Sequence, residues 1–436
     1  MITVLKDTIT REKIQGHKLE TVQLLDKRTD GKLSPWGILK WQSRWLADSY
    51  KVLDQEYDFC DSPYGSKFTR ISTCCNYLEY GRAKDGSGMI LTDAIFCQLP
   101  LCPICGKRRS KKYGNQVRKM IKHIDSQEEK YKYIALCLTM KNVPWDELSQ
   151  GIDHIIEAFS DRFRQRKEFK KIAKGWARAL EITTNWRDET FHVHLHVIVC
   201  VDKDYIDKRK NYLDHWDFVR LWKDCLGMGR QLENEKTQEQ LDREKEAGLD
   251  MYDPWVYVQR IYKGDMGRKK KLARNFAHTS DPTTYARAVA EITKYTCKVS
   301  DYIVPWNNKA DLMDFEADWG IKIKSRREAV NLTAKVLRYL DHGLHKRQRI
   351  GFGGIFWKVR RELKLADIEK DNLIELDGEE EKKDIDKSLR FVYKYSAHYG
   401  NYILHHIYRI VESVQQDIPL ELYGDLVNKY MRRGAG

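Results

Sequence analysis

No run of apolar residues in this 436-residue chain approaches the length needed to span a bilayer. Met1 to Leu24 has no signal-peptide core, so neither an integral membrane protein nor an exported one is expected. With no export signal, the ten cysteines argue against a disulfide framework and for reduced thiols, some of them bound to metal. No internal repeat and no extended disorder-type composition is visible, and the length is enough for two or three domains with cores of their own. What the chain has instead is positive charge. A formal net charge of +14 favours a polyanionic partner such as nucleic acid, with an anionic surface as the other class.

The most informative segment is Phe191-His192-Val193-His194-Leu195-His196-Val197-Ile198-Val199. Strand side chains alternate between faces, so His192, His194 and His196 share one side while Val193, Leu195 and Val197 share the other. One face can hold a metal and the other can join a core.

The surrounding pattern is α/β. Strands are predicted over Tyr131 to Thr139, Trp176 to Thr184, Phe191 to Val201 and Trp255 to Tyr262. The short polar link Asn185 to Thr190 makes the second and third of these a hairpin. Amphipathic helices are predicted over Ile152 to Phe169, Leu213 to Leu226 and, after Asp281-Pro282, Thr283 to Val299. A further short helix is carried by Trp36, Trp41 and Trp45. Gln231 to Gly248 reads as a charged, exposed insertion, and the acidic stretch Asp377 to Asp386 as a loop or linker. From Lys324 onward, helical periodicity with basic patches such as Lys346 to Arg349 predicts a mainly helical region.

Cysteines concentrate between Thr69 and Tyr113. Cys102 and Cys105 form a CxxC knuckle with Cys97 just before it. The fourth thiolate of a structural Zn2+ site comes from Cys74 or Cys75; Cys75 is preferred, although spacing alone does not decide between them. Lys107, Arg108 and Arg109 follow the knuckle and are candidates for phosphate contact. On the predicted helix around Ala290 to Lys298, Glu291, Lys294, Tyr295 and Lys298 fall within one arc of about 100° at about 100° per residue. Ala288, Val289, Ile292 and Val299 occupy another. Lysines beside a tyrosine help its proton leave, and a glutamate one turn away can act as a general base.

Four blocks, FCQLPLCPICGKRRS, ALCLTMKNV, FHVHLHVIV preceded by ALEIT, and AEITKYTCKVSD, stand in an order that resembles the rolling-circle replication initiators of small bacterial plasmids. The resemblance is to the HUH endonuclease superfamily, in the group using one tyrosine and one glutamate. A fifth, weaker block is VLRYLDHGLHKRQRIGFGGIFWKV, and the match spans Thr69 to Val359. Val193 stands where the family commonly has proline, Pro100 where it commonly has arginine, and the insertion after Gly229 has no counterpart.

The resemblance implies an α+β fold: an HUH-type antiparallel sheet with flanking helices, a zinc-knuckle segment before it and a mainly helical C-terminal region. The corresponding organisation is an N-terminal segment 1–60, a cysteine-rich basic segment 61–130, a nicking domain 131–310 and a helical region 311–436 that is a candidate for origin binding. It implies Mg2+ or Mn2+ held by His194 and His196, with Glu181 favoured as third ligand and His192 as its rival. A carboxylate suits a hard cation better than a third imidazole. It further implies Tyr295 as nucleophile and Glu291 as the base that activates water for termination, in a cytoplasmic bacterial protein. The implied partners are single- and double-stranded plasmid origin DNA with a host helicase and polymerase. The rival expectations are an HUH transposase or relaxase and, in another class, a non-catalytic zinc-containing nucleic-acid-binding protein.

Overall fold

In the computed structural model, residues 11–14, 17–20, 23–24, 35–57, 62–83, 89–127, 130–249, 251–262, 283–293, 297–369, 373–374, 385–411, 414–419 and 423 are described. They fall into two compact units. One joins 1–112 with 367–436, and the other comprises 113–366.

The 113–366 unit is built on a seven-stranded sheet. Its order runs Thr283–Thr284, Val256–Tyr262, Tyr131–Thr139, Thr190–Asp202, Ala173–Asn185, Ile350–Gly354, with Val143–Pro144 also paired to Thr190–Asp202. Every pairing is antiparallel except that of Thr283–Thr284. The hairpin expected from the polar link Asn185 to Thr190 forms, and within its turn Asn185 Oδ1 accepts from the Asp188 amide at 3.1 Å.

Alternation divides the three central strands as the sequence predicts. Val193, Leu195 and Val197 lie opposite Ile182, Leu180 and Arg178 on one neighbour, and Leu195 and Val197 lie opposite Leu138 and Leu136 on the other. The aliphatic members of this layer are 0–2% exposed. Each contributes about 2 kcal/mol of burial. Helix Leu148–Glu157 packs on the histidine strand and buries Ile152 and Ile155. The helix expected over Ile152 to Phe169 is interrupted. A π-helical turn at Ala158–Arg162 and a 3-10 turn at Phe163–Gln165 lead into helix Lys167–Ile172. This route keeps Phe159, Phe163 and Phe169 together, with ring centroids 6.0 and 4.8 Å apart along the series.

The other unit contains a five-stranded antiparallel sheet in the order Val414–Asp417, Asn401–Val411, Ile385–Ser396, Tyr77–Ala83, Met89–Asp93. This corrects the expectation that 311–436 is mainly helical. Helices Arg326–Gly343 and Ile355–Glu362 agree with it, but the described residues beyond carry three strands. Leu389 to Tyr393 are buried without a break, so the strand carries no alternation that would have set it apart from a helix in the sequence. Strand Tyr77–Ala83 pairs with Ile385–Ser396. The cysteine-rich segment shares its sheet with the C-terminal strands, so its unit is discontinuous in sequence. Between those strands Gly400 has φ +60°, and its carbonyl lies 2.3 Å from where a Cβ on Gly37 would sit, so the helix Trp36–Asp54 requires glycine at its first turn. No described helix is long and apolar enough to cross a membrane.

Candidate metal and active site

The face opposite the aliphatic layer carries the chemistry. His194 lies directly across from Glu181 on one neighbouring strand and from Thr139 on the other, while His196 lies across from Ala179 and Cys137. Cross-strand partners share a face, so two imidazoles, a carboxylate and a thiol meet there. Glu181 Oε2 accepts from His196 Nε2 at 2.8 Å and lies 3.5 Å from His194 Nε2. Its other oxygen is 2.9 Å from Lys298 Nζ. The Glu181 side chain is 5% exposed. Burial opposes its ionisation, but His194, His196 and Lys298 outweigh that effect and hold the carboxyl well below the usual carboxylate range.

Helix Tyr285–Ile292 packs against the histidine strand, the glutamate strand and Val256–Tyr262. It buries Ala288, Val289 and Ile292, three members of the predicted packing stripe; the fourth, Val299, is half-buried in a 3-10 turn beyond the helix. Glu291 brings its carboxylate into a group with Glu181 and His196 whose ligand atoms all lie within 4.8 Å of one another. The helix is shorter than expected. It ends at Ile292, and Lys298 instead precedes a 3-10 turn at Val299–Asp301. Lys298 therefore reaches Glu181 from a separate segment, not from one arc of a continuous helix. Lys294 and Tyr295 lie outside the described residues.

His192 is on the same face, its ring centroid 5.1 Å from that of His194, but its Nδ1 is paired with Asn142 Oδ1 at 2.9 Å. Burial, reinforced by His194, pushes its pKa down to about 4. Glu181 is the residue that bridges the other two histidines. Three neighbours escaped the sequence reading. Cys137 and Asn142 belong to a block read for its apolar alternation, and period two along Tyr131–Thr139 could have placed Cys137 on the histidine side. Asp301 accepts from the Lys298 amide at 2.7 Å, and burial pushes its carboxyl up to about 6.

A second cluster is formed in the other unit by Cys74, Cys97, Cys102 and Cys105, all buried. Sulfur separations are 3.7 Å for Cys74 to Cys102, 3.7 Å for Cys74 to Cys105 and 3.6 Å for Cys97 to Cys105. Zinc bonded tetrahedrally at about 2.3 Å requires sulfurs about 3.8 Å apart, whereas a disulfide requires about 2.05 Å. The cluster is therefore compatible with zinc. The expected Cys75 is replaced by Cys74. Cys75 takes a left-handed φ of 48°; its amide donates to Ile95 O at 2.6 Å and its carbonyl accepts from Tyr402 Oη at 2.6 Å.

The basic run after the knuckle is used locally. Arg109 is 4% exposed and donates to the carbonyls of Leu99 and Gln98, holding the cysteine loop. Arg108 donates to Leu373 O and Ile374 O. Lys107 is the exposed member of the three.

Fold and sites together define a mixed α/β protein with antiparallel sheets, a histidine and carboxylate centre on one and a four-cysteine cluster beside the other. Comparison with known proteins places that combination. The family model described as "Replication protein" matches residues 88–232 and 245–403, and the chain belongs to this family of plasmid replication initiators. It is 30% identical to a "Protein rep" of Bacillus amyloliquefaciens over 82% of this chain and 90% of the relative. A "Protein rep" of Streptococcus pneumoniae is 26% identical over 87% of this chain and 95% of its own length. A "Replication protein" of Staphylococcus aureus is 27% identical over 62% and 89% respectively. No solved structure matches. The gap between the two matched segments falls in the charged insertion noted from sequence.

Proposed function

We propose that this replication protein nicks and rejoins one DNA strand at a plasmid origin, in a divalent-metal-dependent HUH reaction with Tyr295 as nucleophile. The observation that carries the reading is the bridge of Glu181 to both His194 and His196 on adjacent antiparallel strands. A buried carboxylate and two imidazoles offer one oxygen and two nitrogen donors, a set that fits Mg2+ or Mn2+. When bound there, the ion supplies charge that polarises the scissile phosphate.

The chain's own groups perform the rest. The Tyr295 hydroxyl gives up its proton and its oxygen attacks phosphorus as the bond to the 3′ oxygen breaks, leaving a 5′-phosphotyrosyl link and a free 3′-hydroxyl. Lys298 neutralises Glu181 and keeps the pocket receptive to phosphate. Glu291, close to Glu181 and His196, removes a proton from water in the terminating cleavage. The Cys74, Cys97, Cys102 and Cys105 set holds Zn2+ as a structural ion. Single- and double-stranded origin DNA is the substrate, with host helicase and polymerase acting on the exposed 3′ end. Of the basic run, Lys107 is the member suited to a phosphate contact.

Incubation with single-stranded origin DNA and Mn2+ tests this directly. A covalent adduct is expected, lost in Tyr295→Phe; an intact protein that forms none overturns the reading and favours a non-catalytic DNA-binding role. Glu291→Ala should still nick but terminate poorly, and normal termination would remove the role assigned to Glu291.

A further inference from the structure

The thiol of Cys137 is not used by the reaction above, yet it stands inside the centre. Cys137 is directly opposite His196 in the strand pairing. Its sulfur and one ring nitrogen each of His194 and His196 all lie within 4.8 Å of one another. A second observation points to a ligand. His194 is 8% exposed, and its Nδ1 is buried without a hydrogen-bond partner. Buried polar atoms are ordinarily satisfied, so an unpaired nitrogen on an imidazole of this group marks an unused donor. Glu181 Oε2 stands at the same two histidines, 2.8 and 3.5 Å away.

We infer that Cys137, His194, His196 and Glu181 form an inhibitory site for a thiophilic divalent cation, with zinc as the physiological class, overlapping the catalytic centre. Softness decides which ion uses the thiol. Magnesium and manganese are served by carboxylate and water, and a sulfur adjacent to them is silent. Zinc takes imidazole, thiolate and carboxylate together, at about 2.0–2.3 Å per bond. Ligand atoms in such a tetrahedron are about 3.5 Å apart; the Cys137, His194 and His196 atoms, within 4.8 Å of one another, close around the ion, and Glu181, which stands at His196 but outside that group, turns to become the fourth ligand. Cys137 is only partly buried and can turn to meet it.

The number of donors then sets the outcome. Nicking needs an open coordination position for the phosphate, whereas four protein ligands close the tetrahedron as in a structural site. On binding, the Cys137 proton is released to solvent and the thiolate bonds to the ion. The same two histidines thus support nicking with a hard ion and block it with a soft one, so the centre responds to free zinc.

This inference rests on the metal site proposed above, and metal uptake without DNA tests it separately from nicking. Full-length protein with its four-cysteine cluster already zinc-loaded is dialysed against Zn2+. Two zinc ions per chain are expected, falling to one in Cys137→Ser and unchanged at two in Cys200→Ser. Adding Co2+ to the zinc-loaded wild-type protein should give a near-ultraviolet thiolate-to-cobalt band that Cys137→Ser lacks. Wild-type protein that stops at one zinc and shows no such band overturns the inference, whatever Cys137→Ser does and even if nicking is normal. Uptake of the second zinc in both proteins overturns it as well. In Mn2+-supported adduct formation, the inhibitory zinc concentration should rise at least about tenfold in Cys137→Ser, in line with the usual cost of losing a metal-site contact; an unchanged value counts against the inhibitory role.

Discussion

Asp301 shows how the centre loads charge into a buried corner. Its carboxyl is pushed up to about 6 by burial, with the negative Glu181 adding to the effect and the Lys298 amide and charge opposing it. In the unfolded chain it titrates at 3.8. A raised folded-state value means that its contribution to stability is fully present below 3.8 and is lost as pH rises through about 6. The full effect is at most about 3 kcal/mol. Asp301→Asn keeps an oxygen to accept the Lys298 amide but removes the titration. Between pH 4 and 7 the thermal midpoint should therefore fall less in Asp301→Asn than in the native protein, as followed by circular dichroism; parallel falls would contradict the buried, raised carboxyl. At this scale the sequence was partly legible. Three histidines in alternation announce a face, and Glu181 needs only a hairpin register to reach it. Cys74 and Cys75 are indistinguishable by spacing, and both are buried; Cys75, with a left-handed φ and its carbonyl held by Tyr402, is the one whose sulfur stays out of the cluster.

The central strands were readable for physical reasons. Tyr131–Thr139 and the Ala173–Asn185 and Thr190–Asp202 hairpin are rich in apolar residues bounded by polar turns, and the histidine alternation from His192 to His196 marks the one stretch where the two faces differ in kind. The charged insertion was legible only in part. Its exposure was expected, but the 3-10 turn Glu233–Glu235 and helix Gln238–Glu246 depend on ion pairs invisible to periodicity. Lys223, 0% exposed on helix His215–Cys225, contacts Glu233 and lies 2.7 Å from Asp253 Oδ1. Lys236 adds a 2.8 Å pair to Glu233. Removing Lys223 leaves two carboxylates facing each other, and because both are partly solvated the cost is about 2 kcal/mol, below the range for a fully buried pair. Lys223→Met should lower the stability of the protein by about that amount. It should also speed limited proteolysis within 231–248 relative to wild type. An unchanged cleavage rate would show that the insertion is held by something other than this cation.

The whole molecule is organised by non-local pairing, which composition and local pattern do not reveal. Strand Tyr77–Ala83 finds its partner about 300 residues later in Ile385–Ser396, so the cysteine-rich unit is closed by both ends of the chain. Loop closure on that scale is entropically costly, and an ion held by Cys74, Cys97, Cys102 and Cys105, as proposed above, would offset part of it. The 113–366 unit has its own sheet and aliphatic layer and does not contain those thiols. Stripping zinc with a strong chelator should therefore lower the melting transition of the 1–112 and 367–436 unit and leave that of 113–366 near its original temperature. Cys74→Ser should reproduce the effect without chelator and reduce the structural zinc content, while Cys75→Ser retains the ion because its sulfur is not one of the four. If Cys75→Ser loses zinc and Cys74→Ser keeps it, the coordination is the one expected from spacing, and the backbone at Cys75 must reorganise when the ion binds. If the native protein carries no structural zinc, the four thiols pack as a buried apolar group, and the closure of the discontinuous unit rests on its five-stranded sheet alone.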